Sequence, residues 1–273
     1  FIPENLICLD IDETGIFTVR KYLAQTLPGI EFSTPIANIL NKDKINRIFE
    51  RYKPQIVFHA AAYKHVDLME TSPDEAVLNN ILGTWNIAEA ARQNNAEKFI
   101  LISTDKAVHP TSIMGMTKRA AEILVMHYNN RETSYSAVRF GNVLGSRGSV
   151  VPLFKEQIRS GGPVTITHPD MQRYFMIPSE AILLVLQAAQ IGKGGEIFVL
   201  DMGKPVKILD LAESMINLAG FKPHTDIPIV FTNPVHGEKL FEELLTTVET
   251  MNATKHSSIF IAREPVVGDK MSF

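Results

Sequence analysis

Short apolar runs alternate along the chain with longer segments whose apolar residues recur at helical spacing, the pattern of parallel strands joined by crossover helices. The runs predict strands at 5–10, 55–60, 98–103, 134–140 and 196–200. The helical segments fall at 16–25, 44–52, 73–94, 112–129, 151–160, 179–191, 208–219 and 239–245. The class is therefore α/β, a doubly wound parallel sheet. Each strand ends in polar or small residues, and in such sheets ligands bind beyond the carboxyl ends of the strands. From about Gly145 the pattern loosens, with Gly161-Gly162-Pro163, an alternating stretch at 164–167 and the turn His168-Pro169-Asp170. This divides the chain into a first part, residues 1–144, and a second, 145–273, in which a smaller substrate-covering region is interleaved with the end of the sheet. No internal repeat or low-complexity linker is visible in the sequence.

Composition narrows the class of function. The 273 residues are 45% hydrophobic and 21% charged, enough apolar material for one large core or two modest ones, so disorder is excluded. Lys and Arg total 27 against 30 Asp and Glu, a net charge of −3, so no overall basic excess recruits a phosphate backbone and nucleic acid is not an expected partner. Cys8 is the sole cysteine, which rules out an intramolecular disulfide or a cysteine-based zinc site and fits a reducing compartment, the cytoplasm. The longest apolar runs, such as 181–186, are far short of the roughly 20 residues of a membrane-spanning helix, and no signal peptide opens the chain.

A dinucleotide-binding sheet opens with a strand and a glycine-rich turn that brings the cofactor pyrophosphate to a helix N-terminus. This sequence opens on what reads as the second strand, and no G-x-x-G-x-x-G occurs near its start. The expectation is a sequence lacking the fold's first strand, turn and helix; the alternative is a pyrophosphate bound some other way. The opening strand leads into Leu9-Asp10-Ile11-Asp12-Glu13, where an acidic side chain can accept from both adenosine ribose hydroxyls and repel a 2′-phosphate, favouring NAD over NADP. Asp10 stands at the strand's end and is the better placed, whereas Asp12 and Glu13 also suit a helix cap. Next, His59-Ala60-Ala61-Ala62-Tyr63-Lys64-His65-Val66 follows a buried strand. Its small residues let a cofactor lie against the backbone, with Lys64 in reach of a phosphate or sugar oxygen. No carboxylate pattern completes a ligand set with His59 and His65, so packing and hydrogen bonding explain both better than zinc, and no metal is expected.

The strongest local signal is Thr104-Asp105-Lys106, followed by Pro110-Thr111-Ser112-Ile113-Met114-Gly115-Met116-Thr117-Lys118 at a helix start. A hydroxyl, a carboxylate and an amine at a strand's carboxyl end form a compact acid–base set, and Lys118 lies one turn beyond Met114 on the same face. For an isolated Thr-Asp-Lys, a turn-capping Asp105 and a solvated Lys106 are the simpler account. These segments, however, occur in one order with Ala60-Ala61-Ala62-Tyr63-Lys64-His65-Val66 and Arg139-Phe140-Gly141-Asn142-Val143-Leu144-Gly145. So ordered, they resemble the extended short-chain dehydrogenase/reductases.

More closely, the chain is similar to the UDP-N-acetylglucosamine 4,6-dehydratases of bacterial capsule, O-antigen and protein-glycan biosynthesis. Gly161-Gly162-Pro163-Val164-Thr165, His168-Pro169, Arg173-Tyr174-Phe175-Met176 and Gly237-Glu238-Lys239-Leu240 extend the likeness over about residues 5–245.

The resemblance implies a bound NAD that is reduced and reoxidised within one turnover. Hydride leaves sugar C4, the resulting ketone acidifies the C5 proton, water is lost across C5 and C6, and hydride returns to C6. Carried over by motif, Asp105 is the acid that protonates the departing C6 hydroxyl, Lys106 the base at C5, and Thr104 a hydrogen-bond donor near O4. To act as a base Lys106 needs a lowered pKa, from burial or from nearby positive charge such as Lys118. Lys118 is implied to hold the nicotinamide ribose. Asn142 and Arg173 are candidates for the UDP moiety, and Glu238 for a ribose contact. A nucleotide-sugar 4-epimerase, which has no need of the Asp105–Lys106 pair, is the alternative within enzymes; a non-catalytic binding protein is the alternative outside them.

Two departures from the wider pattern stand out. Met114 occupies the place of a tyrosine that serves as base in most short-chain enzymes, and a thioether has no transferable proton. A branch of the 4,6-dehydratases that resembles large membrane-associated members carries this methionine, leaving Asp105, Thr104 or a water held by Lys118 to accept the O4 proton. Such members have membrane helices ahead of the catalytic region, so any membrane attachment of this protein is expected there. The second departure is Asn233-Pro234-Val235-His236-Gly237-Glu238-Lys239-Leu240, which lacks an arginine usual in relatives; His236 is the candidate to replace its phosphate contact. Relatives also pack two helices per subunit into a dimer, at places corresponding to 73–94 and 112–129. The apolar Leu78, Ile81, Trp85, Ile123, Leu124 and Met126 serve either that interface or the core, and a homo-oligomer is expected.

Overall fold

The structure is a computed structural model that describes residues 3–129, 132–246 and 250–263. Its first elements are β1 (Asn5–Ile7), α1 (Glu13–Thr26), β2 (Glu31–Ser33), α2 (Lys42–Tyr52), β3 (Ile56–His59), α3 (Val66–Thr71) and α4 (Pro73–Val77). A π-helical turn (Leu78–Leu82) leads into α5 (Gly83–Gln93), then β4 (Lys98–Ile102), a 3-10 turn (Asp105–Ala107), α6 (Ile113–Tyr128), β5 (Ser134–Arg139) and β6 (Asn142–Val143). The second part holds α7 (Val150–Arg159), β7 (Val164–Ile166), β8 (Gln172–Arg173), β9 (Phe175–Met176), α8 (Pro178–Ile191) and β10 (Glu196–Leu200). It closes with β11 (Val206–Lys207), α9 (Ile208–Leu218), β12 (Ile229–Phe231), β13 (Thr250–Ala253) and β14 (Ile259–Arg263).

The main sheet has six strands in the order β13-β14-β10-β5-β4-β3. Strands β3, β4, β5 and β10 are parallel, and β14 and β13 add to the far edge antiparallel. Alternation along each strand supplies both faces. Phe99, Leu101, Tyr135, Ala137, Ile197 and Val199 pack toward α2, α5 and α6, while Ile100, Val138, Phe198 and Leu200 pack toward α8. Fully burying one such branched or aromatic side chain stabilises the fold by roughly 1.5–3 kcal/mol. A further core joins α7, β7, α9 and Ile227 beside β12, so the second part both builds its own layer and returns β10, β14 and α8 to the main sheet. The strands β1 and β2 pair with each other in parallel and not with β3, whose outer edge has no partner strand among the described residues. No helix among the described residues is long and apolar enough to cross a membrane.

Several expected elements are corrected. The opening strand stops at Ile7, with Asp10 joined to Ile36 only by an isolated bridge. The long helix at 73–94 is interrupted by the π-helical turn. Segment 239–245 is not helical: Leu240 O accepts from Gln172 N and from Arg173, and Lys239 Nζ reaches Val108 O, so its polar groups are spent on other parts of the chain. Strands β2, β6, β8, β9 and β11 to β14 and helix α3 had no prediction. For β2 the reason is its length, three residues with no room for alternation.

Beneath the site, Glu122 on α6 and Arg139 on β5 are both fully buried. Arg139 Nε and a terminal guanidinium nitrogen donate to the two carboxylate oxygens at 2.7 Å each, and Ser103 Oγ donates to Glu122 Oε1 at 2.6 Å. Arg119 adds a contact at 3.1 Å. Such a fork fixes α6 against β4 and β5 because neither charge has water to fall back on. Arg139→Met is expected to lower stability by about 3–5 kcal/mol, read from urea unfolding, since it strands the Glu122 carboxylate. Glu122→Gln added to that variant is expected to recover part of the loss.

Candidate active site

The site forms where β4 ends. Ser103 N donates to Val138 O and Asp105 N to Phe140 O, so β5 holds the segment that follows β4 in place. Helix α6 then starts at Ser112, whose hydroxyl caps it by accepting from Gly115 N at 3.1 Å. Gly115 is required there: a Cβ at this position would lie 2.4 Å from Lys106 O. Gly141 plays the same part after β5, where a Cβ would come within 3.0 Å of Asp105 Oδ2.

Around this point the side chains form one charged chain. Thr104 Oγ1 donates to Asp105 Oδ1 at 2.9 Å, and Lys106 Nζ donates to the same oxygen at 3.1 Å. Lys106 Nζ also meets Glu242 Oε1 at 3.1 Å, and that oxygen lies 3.5 Å from Arg173 Nε. Arg173 continues to Glu238 Oε1 at 3.2 Å and is anchored by Gln172 O and Leu240 O. Asp105, Arg173 and Glu242 are buried, and Asp105 Oδ2, Glu238 Oε2 and Glu242 Oε2 are buried with no hydrogen-bond partner among the described residues. Unsatisfied acceptors at this density are expected where a ligand or proton completes the set. A cavity of about 440 Å3 opens beside them, lined by Lys106, Asn142, Arg173, Glu238 and Glu242 and by the N-terminus of α7 at Ser149 and Val150. Ser149 Oγ is buried without a partner, and helix N-termini favour anions.

Lys106 departs from expectation. Burial is the largest influence and presses the amine toward neutrality, but Asp105 and Glu242 outweigh it against the opposing Arg173, and the net pKa is raised. Lys118 is not among the groups that act on it. Instead Lys118 is buried, donates to Ile102 O at 2.7 Å, and is lowered by desolvation to about 8 with Glu122 opposing. It also acts on His59, which burial and then the Lys118 charge lower to about 3, so the ring is neutral and pairs with Thr84 Oγ1 at 2.9 Å. Among the described residues no group of three or more His, Cys, Asp or Glu could hold a metal ion.

The remaining candidates separate. Ala60 and Ala61 are exposed and Ala62 half-buried at the carboxyl end of β3. Asp10 is exposed beyond β1 and accepts from Asp12 N. Asp12 caps α1 by accepting from Gly15 N at 3.0 Å and meets Arg147 at 3.2 Å; the Gly15 bond, then Arg147, holds its carboxyl below the ordinary value. Lys64 is lowered by burial and then by Arg147, whose carbonyl it meets at 2.8 Å. Asn142 lines the cavity and donates to Tyr174 O. Met114 is buried with Met69 and Ala76 in an apolar cluster. His236 does not line the cavity: its side chain is 88% exposed and lies 3.9 Å from Glu70, so it does not replace the missing arginine there.

Two residues escaped sequence reasoning. Glu242 carried no local signal because its partners are remote in the chain. Asn80, buried in the π-helical turn, exchanges hydrogen bonds with the backbone of Tyr63 and donates to Thr117 Oγ1, tying the alanine loop to α6. An asparagine inside an otherwise helical run, where it is disfavoured, was the available signal, and π-helical turns recur at functional sites.

A sheet whose core strands are parallel, with helices on both faces and this site at the strands' carboxyl ends, is a Rossmann-like α/β arrangement. Residues 1–264 match the family model described as polysaccharide biosynthesis protein, and the chain belongs to that family. It is 55% identical over 252 residues to the capsular polysaccharide biosynthesis protein CapD of Staphylococcus aureus, covering 91% of this chain and 42% of that protein. The probable polysaccharide biosynthesis protein EpsC of Bacillus subtilis is 51% identical with the same coverage, 91% and 42%, so the chain spans about two fifths of the length of these relatives. A UDP-glucose 4-epimerase of Rickettsia rickettsii is 40% identical over 93% of this chain and 74% of its own length. Among solved structures, Pen from Bacillus thuringiensis superposes with a TM-score of 0.87 at 34% identity, covering 97% of this chain and 82% of that one. The dTDP-glucose 4,6-dehydratase DesIV from Streptomyces venezuelae, solved with NAD bound, shares the fold at a TM-score of 0.75 and 16% identity, with 88% of each chain covered.

The depressed Lys118 makes a pH prediction. Unfolded, the amine regains its ordinary value near 10.5, against about 8 when folded, so the unfolded chain binds more protons between these limits and stability rises with pH across them. Below that window the full cost of the buried charge is present. Lys118→Met is therefore expected to be more stable than the parent at neutral pH, by up to about 3 kcal/mol, with the difference closing as pH rises toward 10.5. Urea unfolding of both proteins across the window checks this.

Proposed function

We propose that this chain carries the catalytic part of an NAD-dependent 4,6-dehydratase that converts UDP-N-acetylglucosamine to UDP-2-acetamido-2,6-dideoxy-4-hexulose in surface polysaccharide biosynthesis. The observation that carries the reading is the ion pair between buried Asp105 and Lys106, whose Lys106 borders a cavity with a helix N-terminus at its other end. An epimerase has no use for such an acid–base pair, since it only moves hydride off and onto C4.

The residues present fit the cofactor. The exposed Ala60–Ala61 backbone offers a shelf, Asp10 offers an acceptor for ribose hydroxyls, and the Lys118 amine, which has one hydrogen-bond partner among the described residues, Ile102 O, has donors to spare for the nicotinamide ribose. NAD, when bound, supplies the hydride acceptor for C4 and the donor for C6. Asp105 takes the O4 proton through the Thr104 hydroxyl that it already holds, becoming the acid that protonates the departing O6. Lys106 takes the C5 proton and returns it once the double bond has formed, so that the protons balance over the turnover. Arg173, Asn142 and the α7 N-terminus receive the diphosphate, and Glu238 a ribose hydroxyl. Met114 supplies an apolar wall in place of a phenol.

Incubating the intact protein with NAD and UDP-N-acetylglucosamine is expected to yield a 4-keto-6-deoxy sugar by NMR. Asp105→Asn and Lys106→Met are each expected to lower the rate by about 10²–10⁴-fold. Formation of UDP-N-acetylgalactosamine would replace the reading with an epimerase, and unchanged substrate with a binding protein.

The oligomer follows from the same reading. Leu78, Trp85, Met116 and Ile123 leave apolar surface exposed on the π-helical turn, α5 and α6, and Trp85 Nε1 donates to the Tyr128 hydroxyl between the two helices. This face is the proposed dimer contact. Ile123→Lys is expected to shift the protein toward monomer in sedimentation velocity; an unchanged sedimentation coefficient would place the contact elsewhere.

A further inference from the structure

Under the dehydratase reading, Lys106 meets a difficulty that the structure itself raises. A base at C5 must be a free amine, yet Asp105 and Glu242 hold Lys106 as an ammonium in the absence of substrate. The cavity wall holds one further acceptor within reach. Glu242 Oε1 lies 3.1 Å from Lys106 Nζ, and Oε2 of the same carboxylate is buried with no partner. We propose that Glu242 is the residue that primes Lys106, taking the surplus proton from its ammonium when substrate fills the cavity so that the amine is free to accept the C5 proton.

The step balances within the pair. Ammonium and carboxylate become amine and carboxylic acid, with one N–H bond broken and one O–H bond formed. Lys106 then takes the proton from C5 and later returns it there. The direction follows from desolvation. Substrate displaces water from a cavity whose wall carries Glu238, Glu242 and Asp67 beside Lys106, Arg173 and Lys239. Losing solvent penalises a separated pair of charges and favours the neutral pair.

The chain is built to keep Glu242 at this distance. The segment carrying it is fastened to the loop after Lys106 by Thr111 Oγ1 to Gly237 O at 2.9 Å and Lys239 Nζ to Val108 O at 2.6 Å. From the other side, Gln172 N and Arg173 hold Leu240 O. Lys106 Nζ uses two donors on Asp105 and Glu242, and its third has no acceptor among the described residues where the side chain borders the cavity.

The test separates proton transfer from shape. Glu242→Gln keeps the size and the acceptor oxygen but cannot take a proton, whereas Glu242→Asp can take one but is a methylene shorter. If Glu242 primes Lys106, Gln is expected to lower kcat by about 100-fold with KM little changed, and Asp to retain more activity than Gln. A C5-deuterated substrate is expected to show a larger isotope effect on kcat in Glu242→Gln than in the parent, because C5 proton removal becomes limiting. Gln equal to or better than Asp, or an isotope effect that does not grow, overturns the proposal while leaving the dehydratase reading standing. A parent protein that forms no 4-keto-6-deoxy sugar overturns both.

Discussion

A carboxylate with no exposed surface stands behind every part of this site. Glu122 is held by a two-pronged Arg139, by Ser103 and by Arg119. Ser103 immediately precedes Thr104-Asp105-Lys106, and Glu122 lies one helical turn beyond Lys118. One buried anion therefore fixes the residue that precedes Thr104-Asp105-Lys106 and lies close enough to Lys118 to favour its charge. The arrangement is costly to assemble, since both ions leave water, and its return is geometric: neither β4 nor α6 can slide without breaking a hydrogen bond that has no aqueous substitute. Glu122 also opposes the fall in the Lys118 pKa.

The second constraint is the charged chain that runs from Asp105 through Lys106 and Glu242 to Arg173 and Glu238. It joins residues from the end of β4, from β8 and from the irregular segment after β12. The covering region is thus tied to the sheet through the reacting groups themselves, so changes that loosen the cover also alter the charge felt by Lys106. The three carboxylates outnumber the two cations, and three of their oxygens are unsatisfied. A chain in this condition responds to the charge of whatever enters the cavity.

Much of this was legible along the sequence wherever the information was local. Strand β10 falls on the predicted residues, and β4 and β5 each stop one residue short of their predicted ends, because buried parallel strands read as short apolar runs between turn signals. Thr104-Asp105-Lys106 was visible because its members are adjacent. What escaped was long-range. The pKa of Lys106 could not be read from its own neighbours, since Glu242 reaches it from far along the chain. The amphipathic spacing at 239–245 suggested a helix, but the groups that would have closed its turns are used instead to hold Val108, Gln172 and Arg173. Asn80 gave a composition hint without a role, which only the π-helical turn supplied.

The pairing of β1 with β2 alone has a consequence for the main sheet. Strand β3 presents a row of backbone donors and acceptors on the side away from β4, next to Phe58, which is 40% exposed. Open parallel edges of this kind recruit any extended peptide that can complete them, including the same edge on a neighbouring molecule. Among the described residues, that edge of β3 is the place on the main sheet where a further parallel strand adds without disturbing the site at the carboxyl ends.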